Sequence, residues 1–210
     1  MISQAGWAQA EGTVDSRRRI GNFRAVTATP ALEATSDAAL VLAAREGDRG
    51  AFGSLYARYA RMVHGILLAR VPPREAEDLA QEVFLKALPR LRDLRDATRF
   101  GPWVAAITRN CANDYYRKNR AEETVTEGWP EDEEDEPAAK DDSNAEAAAI
   151  LEAVRSLPEA YRETLILRLV EGMTGPEIAE RTGLKAGSVR VNLHRGMQQL
   201  RERLAQGERR

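Results

Sequence analysis

Residues 173–200 constrain the fold of this chain more than any other segment, because their pattern predicts two short helices joined by a tight turn. Thr174-Gly175-Pro176-Glu177 is a capping-box pattern that opens the first helix. Gly183 supplies the turn, and a second helix follows it. This is the pattern of a helix-turn-helix, in which the second helix lies in the major groove of DNA.

The second helix of this segment carries the side chains that could read DNA. Val189 and Leu193 share an inward face, which leaves these outer side chains: Ser188, Arg190, Val191, Asn192, His194 and Arg195. Arginine pairs with guanine, asparagine pairs with adenine, and valine meets the thymine methyl group. The alternative is a surface helix of an ordinary bundle, but the capping box, the turn and the basic outer face favour DNA binding.

Two residues weaken the prediction for this helix. Lys185, just before it, is a poor N-cap, and Gly196 lies where a better helix former is common. We therefore expect a recognition helix that is locally weak.

The distribution of charge divides the chain into blocks. Residues 121–146 contain twelve acidic residues and one lysine, a net charge of −11 in a chain whose overall net charge is −2. The rest of the chain therefore carries +9. So dense an acidic segment cannot bury a core, and self-repulsion extends it. Two basic blocks flanking an acidic linker suit a nucleic-acid binder, although solvated faces of ordinary helices give similar imbalances.

The remaining periodicity is helical throughout. Ser36 is a typical N-cap residue, and helices are predicted in the first block over residues 37–45, 51–70, 75–91 and from Pro102 onward. Ser156-Leu157-Pro158-Glu159 repeats the capping-box pattern in the second block. The sequence therefore predicts an all-α protein with two small helical domains joined by a flexible acidic linker. The predicted boundaries are an N-terminal tail at 1–35, a first domain at 36–120, the linker at 121–146, the helix-turn-helix domain at 147–205 and a C-terminal tail at 206–210.

The rare residue types argue against catalytic or metal chemistry. Cys111 is the only cysteine, and His64 and His194 are the only histidines, far apart in the sequence and without a carboxylate cluster. A disulfide, a metal site, a histidine-based active site and a cofactor are therefore not expected. No apolar run approaches the roughly 20 residues of a membrane span, and the N-terminus lacks the apolar core of a signal peptide. We expect a cytoplasmic protein without membrane contact.

Acidic and amide side chains mark one side of the third predicted helix. Asp78, Gln81 and Glu82 recur there at three- and four-residue spacing. Two carboxylates on one helix could serve acid–base catalysis or bind a metal ion, yet a solvated helix face is the commoner explanation. A third interpretation is a docking surface for a basic partner helix.

The fourth predicted helix interleaves basic and amide groups with aromatic rings. Its polar members include Arg109, Asn110, Asn113, Arg117 and Lys118, and Tyr115 and Tyr116 lie among them. This mixture suits single-stranded nucleic acid, whose bases stack on rings while its phosphates meet arginine. Trp103 is expected in the core. Asp114 is expected to orient a neighbouring arginine, because a carboxylate repels phosphate.

In this order the three patterns resemble the extracytoplasmic-function sigma factors, a compact group in the sigma-70 family of bacterial transcription initiation factors. Residues 78–85, DLAQEVFL, are similar to the core-binding motif of the family's region 2, and residues 103–117 resemble the region that melts and reads the minus-ten element. Residues 156–204 resemble region 4, which reads the minus-thirty-five element. The resemblance spans residues 36–204 and is interrupted by the acidic linker.

The resemblance implies partners and site residues. Asp78, Gln81, Glu82 and Phe84 would dock on the clamp helices of the largest subunit of core RNA polymerase. Promoter DNA at the minus-ten element, as duplex and as melted single strand, would be bound by Arg95, Arg99, Arg109, Asn110, Asn113, Arg117 and Lys118. The six outer side chains of the recognition helix would read the minus-thirty-five element. An anti-sigma factor is a further candidate partner, and the acidic linker would thread the polymerase's basic nucleic-acid channel.

Two other functions stay open at this point. A plain helix-turn-helix repressor or activator would bind duplex operator without docking on polymerase, and the helix that carries Asp78 and Glu82 distinguishes the two. An enzyme that used those carboxylates would need a basic or nucleophilic partner, and the sequence places none beside them.

Overall fold

The computed structural model describes residues 35–125 and 142–207, and all of the regular elements in those ranges are helices. The first group consists of α1 (Asp37–Arg45), α2 (Arg49–Leu68), α3 (Pro73–Ala87) and α4 (Phe100–Val125), with single-turn 3-10 helices at Leu91–Asp93 and Ala97–Arg99. The second group consists of α5 (Asp142–Arg155), α6 (Glu159–Leu169), α7 (Gly175–Thr182) and α8 (Ala186–Gly207). The all-α prediction is confirmed.

Polar caps and a proline set where the first helices begin. The Ser36 side chain accepts a hydrogen bond from the backbone N–H of Ala39 at 3.3 Å, as the sequence predicts. The Asp48 carboxylate accepts one from Gly50 at 2.8 Å at the start of α2. Each cap satisfies an N–H group that the first helical turn leaves without a partner. Pro73 begins α3, where a missing N–H costs little.

The core of the first domain surrounds α2. The most buried side chains of this helix recur every three or four residues, and these five are each at most 4% exposed: Leu55, Tyr59, Met62, Val63 and Ile66. Helices α1, α3 and α4 pack against them. Because the inner faces of α3 and α4 are used for this packing, their polar faces point outward.

The helix-turn-helix forms as predicted. Thr174 and Glu177 make a complete capping box at the start of α7, in which each side chain bonds the backbone of the other residue. Gly183 ends α7 in the left-handed conformation, with φ of +75°, which glycine adopts without steric penalty. Ile178 and Val189 are buried between α7 and α8 and hold their crossing.

The capping box predicted at Ser156 is wrong. Pro158 is the N-cap residue of α6, and it makes no side-chain cap hydrogen bond. The Ser156 hydroxyl instead donates to the carbonyl of Ala153 at 2.7 Å. This serine lies only one residue beyond the end of α5, so the free carbonyls of that helix are closer to it than the first N–H groups of α6.

The predicted weakness at Gly196 has a different explanation in the structure. Helix α8 runs without interruption from Ala186 to Gly207, and Gly196 is buried where this helix crosses α6. A Cβ atom at this position would lie 2.9 Å from Leu165 Cδ1 and 3.1 Å from Tyr161 Cβ. Glycine therefore allows the two helices to approach closely, at a cost in helix propensity.

Helices extend into the predicted acidic linker from both sides. Of residues 121–146, α4 includes the first five, up to Val125, and α5 begins at Asp142. Residues 1–34, 126–141 and 208–210 lie outside the described residues, and with them the predicted N-terminal tail, except for Thr35, and most of the linker.

The two groups of helices are in direct contact. Helix α6 lies against α2, and α7 lies against α4. Among residues 35–125 and 142–207, no helix combines the length and the apolar character that crossing a bilayer requires.

Two glycines of α8 provide a test of the packing. We expect Gly187→Ala to raise the free energy of unfolding by up to about 1 kcal/mol, because alanine favours helix and nothing lies within 4 Å of the new methyl group. Gly196→Ala should instead lower it by about 1 kcal/mol, since overpacking against α6 outweighs the gain in propensity. Urea unfolding followed by circular dichroism measures both. Equal stabilisation by the two variants would contradict the close approach at Gly196.

Candidate nucleic-acid interface

The first half of α8 presents the predicted base-reading side chains to solvent. Val189 is 1% exposed and anchors the helix, whereas Ser188, Arg190, His194 and Arg195 are exposed and Asn192 is half-buried. Val191 is an apolar side chain that is 43% exposed. Ser188, Val191, Asn192 and Arg195 are spaced so that they follow one another along one face. The structure therefore brings these four residues together on one face of α8, whereas Arg190 and His194 are exposed to one side of it.

The turn before α8 is fixed by short-range hydrogen bonds. The Thr182 hydroxyl donates to the Ile178 carbonyl and accepts from the backbone N–H of Leu184 at 3.3 Å. The Lys185 carbonyl accepts from the N–H of Val189 at 3.0 Å, which closes a regular first turn although Lys185 offers no side-chain cap. The weak N-cap therefore leaves the start of α8 regular.

Helix α4 carries a polar stripe formed by Asn110, Asn113, Asp114 and Arg117 at three- and four-residue spacing. Both asparagines and Lys118 are exposed, and the Arg117 side chain is 81% exposed. The Asp114 carboxylate forms an ion pair with Arg117 at 3.0 Å, in keeping with the expectation that it orients a neighbouring arginine. Four of the predicted minus-ten residues thus remain accessible on α4.

Aromatic side chains border this stripe. Tyr116 is 48% exposed, packs edge-on against Tyr115 with ring centroids 5.4 Å apart, and donates its hydroxyl hydrogen bond to the Arg70 carbonyl at 2.7 Å. Trp103 is partly buried against the core beside Phe100, as predicted. Tyr116 is therefore the most exposed of these rings.

Arg109 lies apart from the other residues of this group. Its side chain is only 25% exposed, and it forms a bidentate ion pair with Glu163 of α6, with Nε–Oε2 at 3.1 Å and Nη2–Oε1 at 2.6 Å. The guanidinium is therefore engaged by the second domain in this conformation. Local sequence patterns gave no signal for this pair, because its members are 54 positions apart.

The segment before α4 presents Arg95 and Arg99 from a fixed loop. Both side chains are exposed. Arg45 of α1 donates to the carbonyl of Leu91 at 3.0 Å and also to that of Leu94, so it ties the loop to the first helix. Within the loop, hydrogen bonds from Thr98 hold the pKa of the Asp96 carboxyl below its usual value. Sequence reasoning did not identify Arg45, whose partners are backbone carbonyls far along the chain.

Helix α3 exposes the predicted docking residues, with one correction. Asp78 and Gln81 are exposed, and Glu82 is half-exposed in an ion pair with Lys86 at 2.7 Å. Phe84 is not on this surface, because its side chain is 4% exposed and its ring packs against Tyr56 at 4.6 Å. It therefore belongs to the core.

Leu85 is a residue of this surface that sequence reasoning missed. Its side chain is 73% exposed, and it follows Gln81 by four positions and Glu82 by three, which places it on the same side of α3. Leu88, three positions further on, is 46% exposed. The sequence could have revealed Leu85 by its spacing from Gln81 and Glu82. An apolar residue on the same helix face as exposed polar residues suggests contact with a partner.

Cys111 is a buried free cysteine beside Lys86 of this helix. Within the described parts of the chain, no three His, Cys, Asp or Glu side chains are grouped so that they could hold a metal ion. Burial raises the pKa of the Cys111 thiol, which keeps it protonated near neutral pH, and Lys86 Nζ lies 3.7 Å from its sulfur. Cys111 behaves as a core side chain.

The chain is similar to known proteins along most of its length. The family described as sigma-70 region 2 matches residues 55–122, and the family described as sigma-70, region 4 matches residues 147–200. The RNA polymerase sigma factor CarQ of Myxococcus xanthus is 35% identical over 173 residues, which cover 78% of this chain and 95% of CarQ. The sigma factor BldN of Streptomyces coelicolor is 34% identical over 77% of this chain, which spans 63% of BldN.

A solved structure supports the same relationship. CnrH, solved in complex with the cytosolic domain of CnrY, aligns with a TM-score of 0.57 and 25% identity over 81% of this chain and 98% of that one. A helical region 2 and a helical region 4 in one chain define a sigma factor, a transcription initiation factor that binds core RNA polymerase and promoter DNA. The chain belongs to the extracytoplasmic-function sigma factors of the sigma-70 family. The region 2 match separates it from a plain helix-turn-helix repressor, and the resemblance predicted from the sequence is confirmed.

Proposed function

We propose that this sigma factor docks on core RNA polymerase with the exposed face of α3, reads the minus-thirty-five element with α8, and opens and reads the minus-ten element with α4 and the loop before it. The observation that carries the proposal is the exposure of two separate polar, basic helical faces, one in each sigma-family region. The proposed domains are residues 36–120 and 147–205. Transcription in vitro with purified core polymerase on a promoter library tests it. Transcripts should come from promoters that share two spaced motifs, whereas duplex binding without such transcripts would contradict the proposal.

The docking surface that we propose combines charge with an apolar contact. Asp78 and Glu82 complement a basic partner helix, and Gln81 adds hydrogen bonds between them. Complementary charge raises the rate and specificity of association, while burial of a leucine as exposed as Leu85 contributes about 1.5–3 kcal/mol. Phe84 supports this surface from beneath by fixing α3 against the core. Its role is therefore structural.

For the minus-thirty-five element, the N-terminal half of α8 is the proposed reader. Recognition helices contact base edges mainly through their N-terminal residues, and Ser188, Arg190, Val191 and Asn192 lie within the first two turns of α8. Arg190 is exposed, so its guanidinium is accessible to guanine. His194 and Arg195, one turn further along, would contact the backbone or a flanking base.

For the minus-ten element, the polar stripe of α4 would receive the opened strand. Extruding a base costs a few kcal/mol, which stacking and phosphate contacts must offset. Tyr116 offers a ring, Asn110 and Asn113 offer amides for base edges, and Arg117 and Lys118 offer positive charge to phosphates. Arg95 and Arg99 add charge from the fixed loop. Each stacked base contributes about 1–3 kcal/mol, so a few contacts suffice.

The proposal assigns no catalysis to this chain, because the polymerase supplies the chemistry of RNA synthesis. Transcription initiation takes place in the bacterial cytoplasm, which is where the protein would act. The acidic linker would follow the polymerase's basic channel as a polyanion. CnrH was solved with the cytosolic domain of CnrY, and the sigma factor RpoE with the anti-sigma factor NepR, so we include an anti-sigma factor among the proposed partners.

A double charge reversal tests the docking surface. Asp78→Lys with Glu82→Lys should weaken binding to core polymerase by roughly 100-fold, because like charges would face each other across the interface. Titration of labelled polymerase measures the affinity. The control variant, Glu46→Lys with Glu202→Lys, changes the net charge equally at two exposed positions away from this face. Holoenzyme formation that is equally affected in both variants would refute the docking assignment.

A single substitution tests the base-reading role of α8. Arg190→Ala should change base preference at one position of the minus-thirty-five element, with a loss of discrimination of about 1–3 kcal/mol. Sequencing of transcripts from a randomised promoter library measures the base preference at each position of this element. An unchanged base preference in the Arg190→Ala variant would contradict the proposal that α8 lies in the major groove of the minus-thirty-five element.

Basic residues of α4 should behave differently. Arg117→Ala and Lys118→Ala should each weaken binding of single-stranded DNA regardless of sequence and reduce the salt slope of affinity by about 0.7. Binding measured across a salt series tests this. Arg201→Ala, a loss of the same charge at an exposed position near the end of α8, is the control and should leave the slope unchanged. An equal loss of affinity in Arg117→Ala, Lys118→Ala and Arg201→Ala would show that overall charge, and not contact with α4, explains the effect.

A further inference from the structure

The loop before α4, residues 91–99, has a three-residue period of burial that continues to Phe100. Leu91, Leu94 and Phe100 are each at most 5% exposed, and Ala97 is partly buried against the core. The residues between these inner positions are exposed and form three outward pairs: Arg92-Asp93, Arg95-Asp96 and Thr98-Arg99. A period of three is that of a 3-10 helix, and a single-turn 3-10 helix lies at each end of the loop. The loop therefore has an inner side fixed by the core and a polar outer side.

One guanidinium of α1 binds two of the inner residues at once. Arg45 Nε donates to the Leu91 carbonyl at 3.0 Å, and Arg45 Nη2 donates to the Leu94 carbonyl. These two carbonyls are one period of the loop apart. Because a guanidinium is planar and its donors have fixed directions, it sets the spacing of the two carbonyls as well as their distance from α1. A lysine ammonium rotates freely and would not impose that spacing.

Arg45 is itself held in place by the core of the first domain. It lies in the last turn of α1, where Leu40, Val41 and Ala44 are buried. A positive charge at this end of a helix also interacts favourably with the free carbonyls there. The Arg45 side chain is half-buried between the helix and the loop. Helix α1 therefore fixes the loop through a side chain that is not part of the loop.

Hydrogen bonds inside the loop are local to each of its turns. In the first turn, the Leu94 N–H donates to the Leu91 carbonyl at 3.4 Å. In the second turn, the Asp96 carboxylate accepts from the Thr98 N–H at 3.0 Å and from its hydroxyl at 2.6 Å. These bonds define the shape of each turn. Arg45 adds a contact that spans the first turn and ends at the residue that leads into the second.

The outward pairs combine positive charge with hydrogen-bond acceptors. Arg92, which the sequence pattern did not single out, lies on the same outer side as Arg95 and Arg99, and all three can contact phosphates. Carboxylates such as those of Asp93 and Asp96 can accept hydrogen bonds from the amino groups of cytosine or adenine. Selection of one base requires such groups to be held within about 0.5 Å of the productive position. The outer side can therefore select bases only if the loop is held firmly.

We propose that Arg45 is a positioning residue for base selection in the minus-ten element. By holding the carbonyls of Leu91 and Leu94, it sets the position of the outward pairs relative to α4 and to the opened strand. Arg45 itself does not contact DNA. This inference rests on the proposed function, because it requires that the loop and α4 read the minus-ten element.

Arg45→Ala tests the positioning role in transcription from a promoter library randomised across both elements. It should lower the preference for the favoured base about tenfold at one or more minus-ten positions. Preference in the minus-thirty-five element and affinity for core polymerase should stay unchanged, because Arg45 acts on the loop. Arg49→Ala, which removes the same charge at an exposed position at the start of α2, is the matched control and should leave the minus-ten preference unchanged.

Arg45→Lys separates geometry from charge. Lysine keeps the charge but not the fixed spacing of the two donors, so its minus-ten preference should lie between those of wild type and Arg45→Ala. Amide hydrogen exchange of residues 92–99 should be about tenfold faster in Arg45→Ala and unchanged in Arg49→Ala. Circular dichroism checks that each variant is folded, and if Arg45→Ala is not, the lysine variant decides.

The possible results distinguish the positioning role from a purely structural one. Faster exchange in Arg45→Ala with unchanged base preference would overturn the positioning role. Full base preference in Arg45→Lys would overturn it as well, and so would an equal loss of transcription from all promoters in Arg45→Ala and Arg49→Ala. A wild-type holoenzyme without base preference in the minus-ten element would instead contradict the proposed function.

Discussion

The burial of α2 is the constraint on which the rest of the structure depends. This helix lies between α1, α3, α4 and α6, and its most buried side chains leave almost no surface to solvent. Because α3 and α4 must turn their apolar faces toward it, the polar residues of both helices face outward. The proposed docking surface and the proposed minus-ten stripe are therefore consequences of one packing arrangement.

Local chemistry made much of this fold predictable from the sequence. Caps at Ser36 and Thr174, the left-handed turn at Gly183 and the buried pair Ile178 and Val189 each follow from residues close in the chain. Apart from the capping box at Ser156, predictions failed where a distant element decided the outcome. Gly196 is expected to weaken its helix, but Leu165 lies across from it, and Phe84, to which the family resemblance gives a docking role, packs against Tyr56 in the core. The pair of Arg109 with Glu163 has no local signature at all.

Arginine serves two competing partners in this molecule. A bidentate carboxylate and a phosphate present similar oxygen pairs to a guanidinium. Where the structure gives arginine a buried carboxylate, as at Glu163, the charge is neutralised and held. Where it leaves arginine at the surface, as at Arg190, the same group is free for DNA. The structure thus separates arginines that hold the two domains together from arginines that are accessible to nucleic acid.

The contact between the domains has a consequence for the end of α2. The carbonyls of Leu68 and Val71, which no later turn of the helix can satisfy, accept hydrogen bonds from Arg155 of the second domain. Without Arg155 those carbonyls would bond only to water, and the last turn of α2 would fray more easily. That turn leads through Pro72 directly into α3. The contact with Arg155 and the local order at the entry to α3 are therefore thermodynamically linked, and by reciprocity a partner that orders this entry would strengthen the contact between the domains.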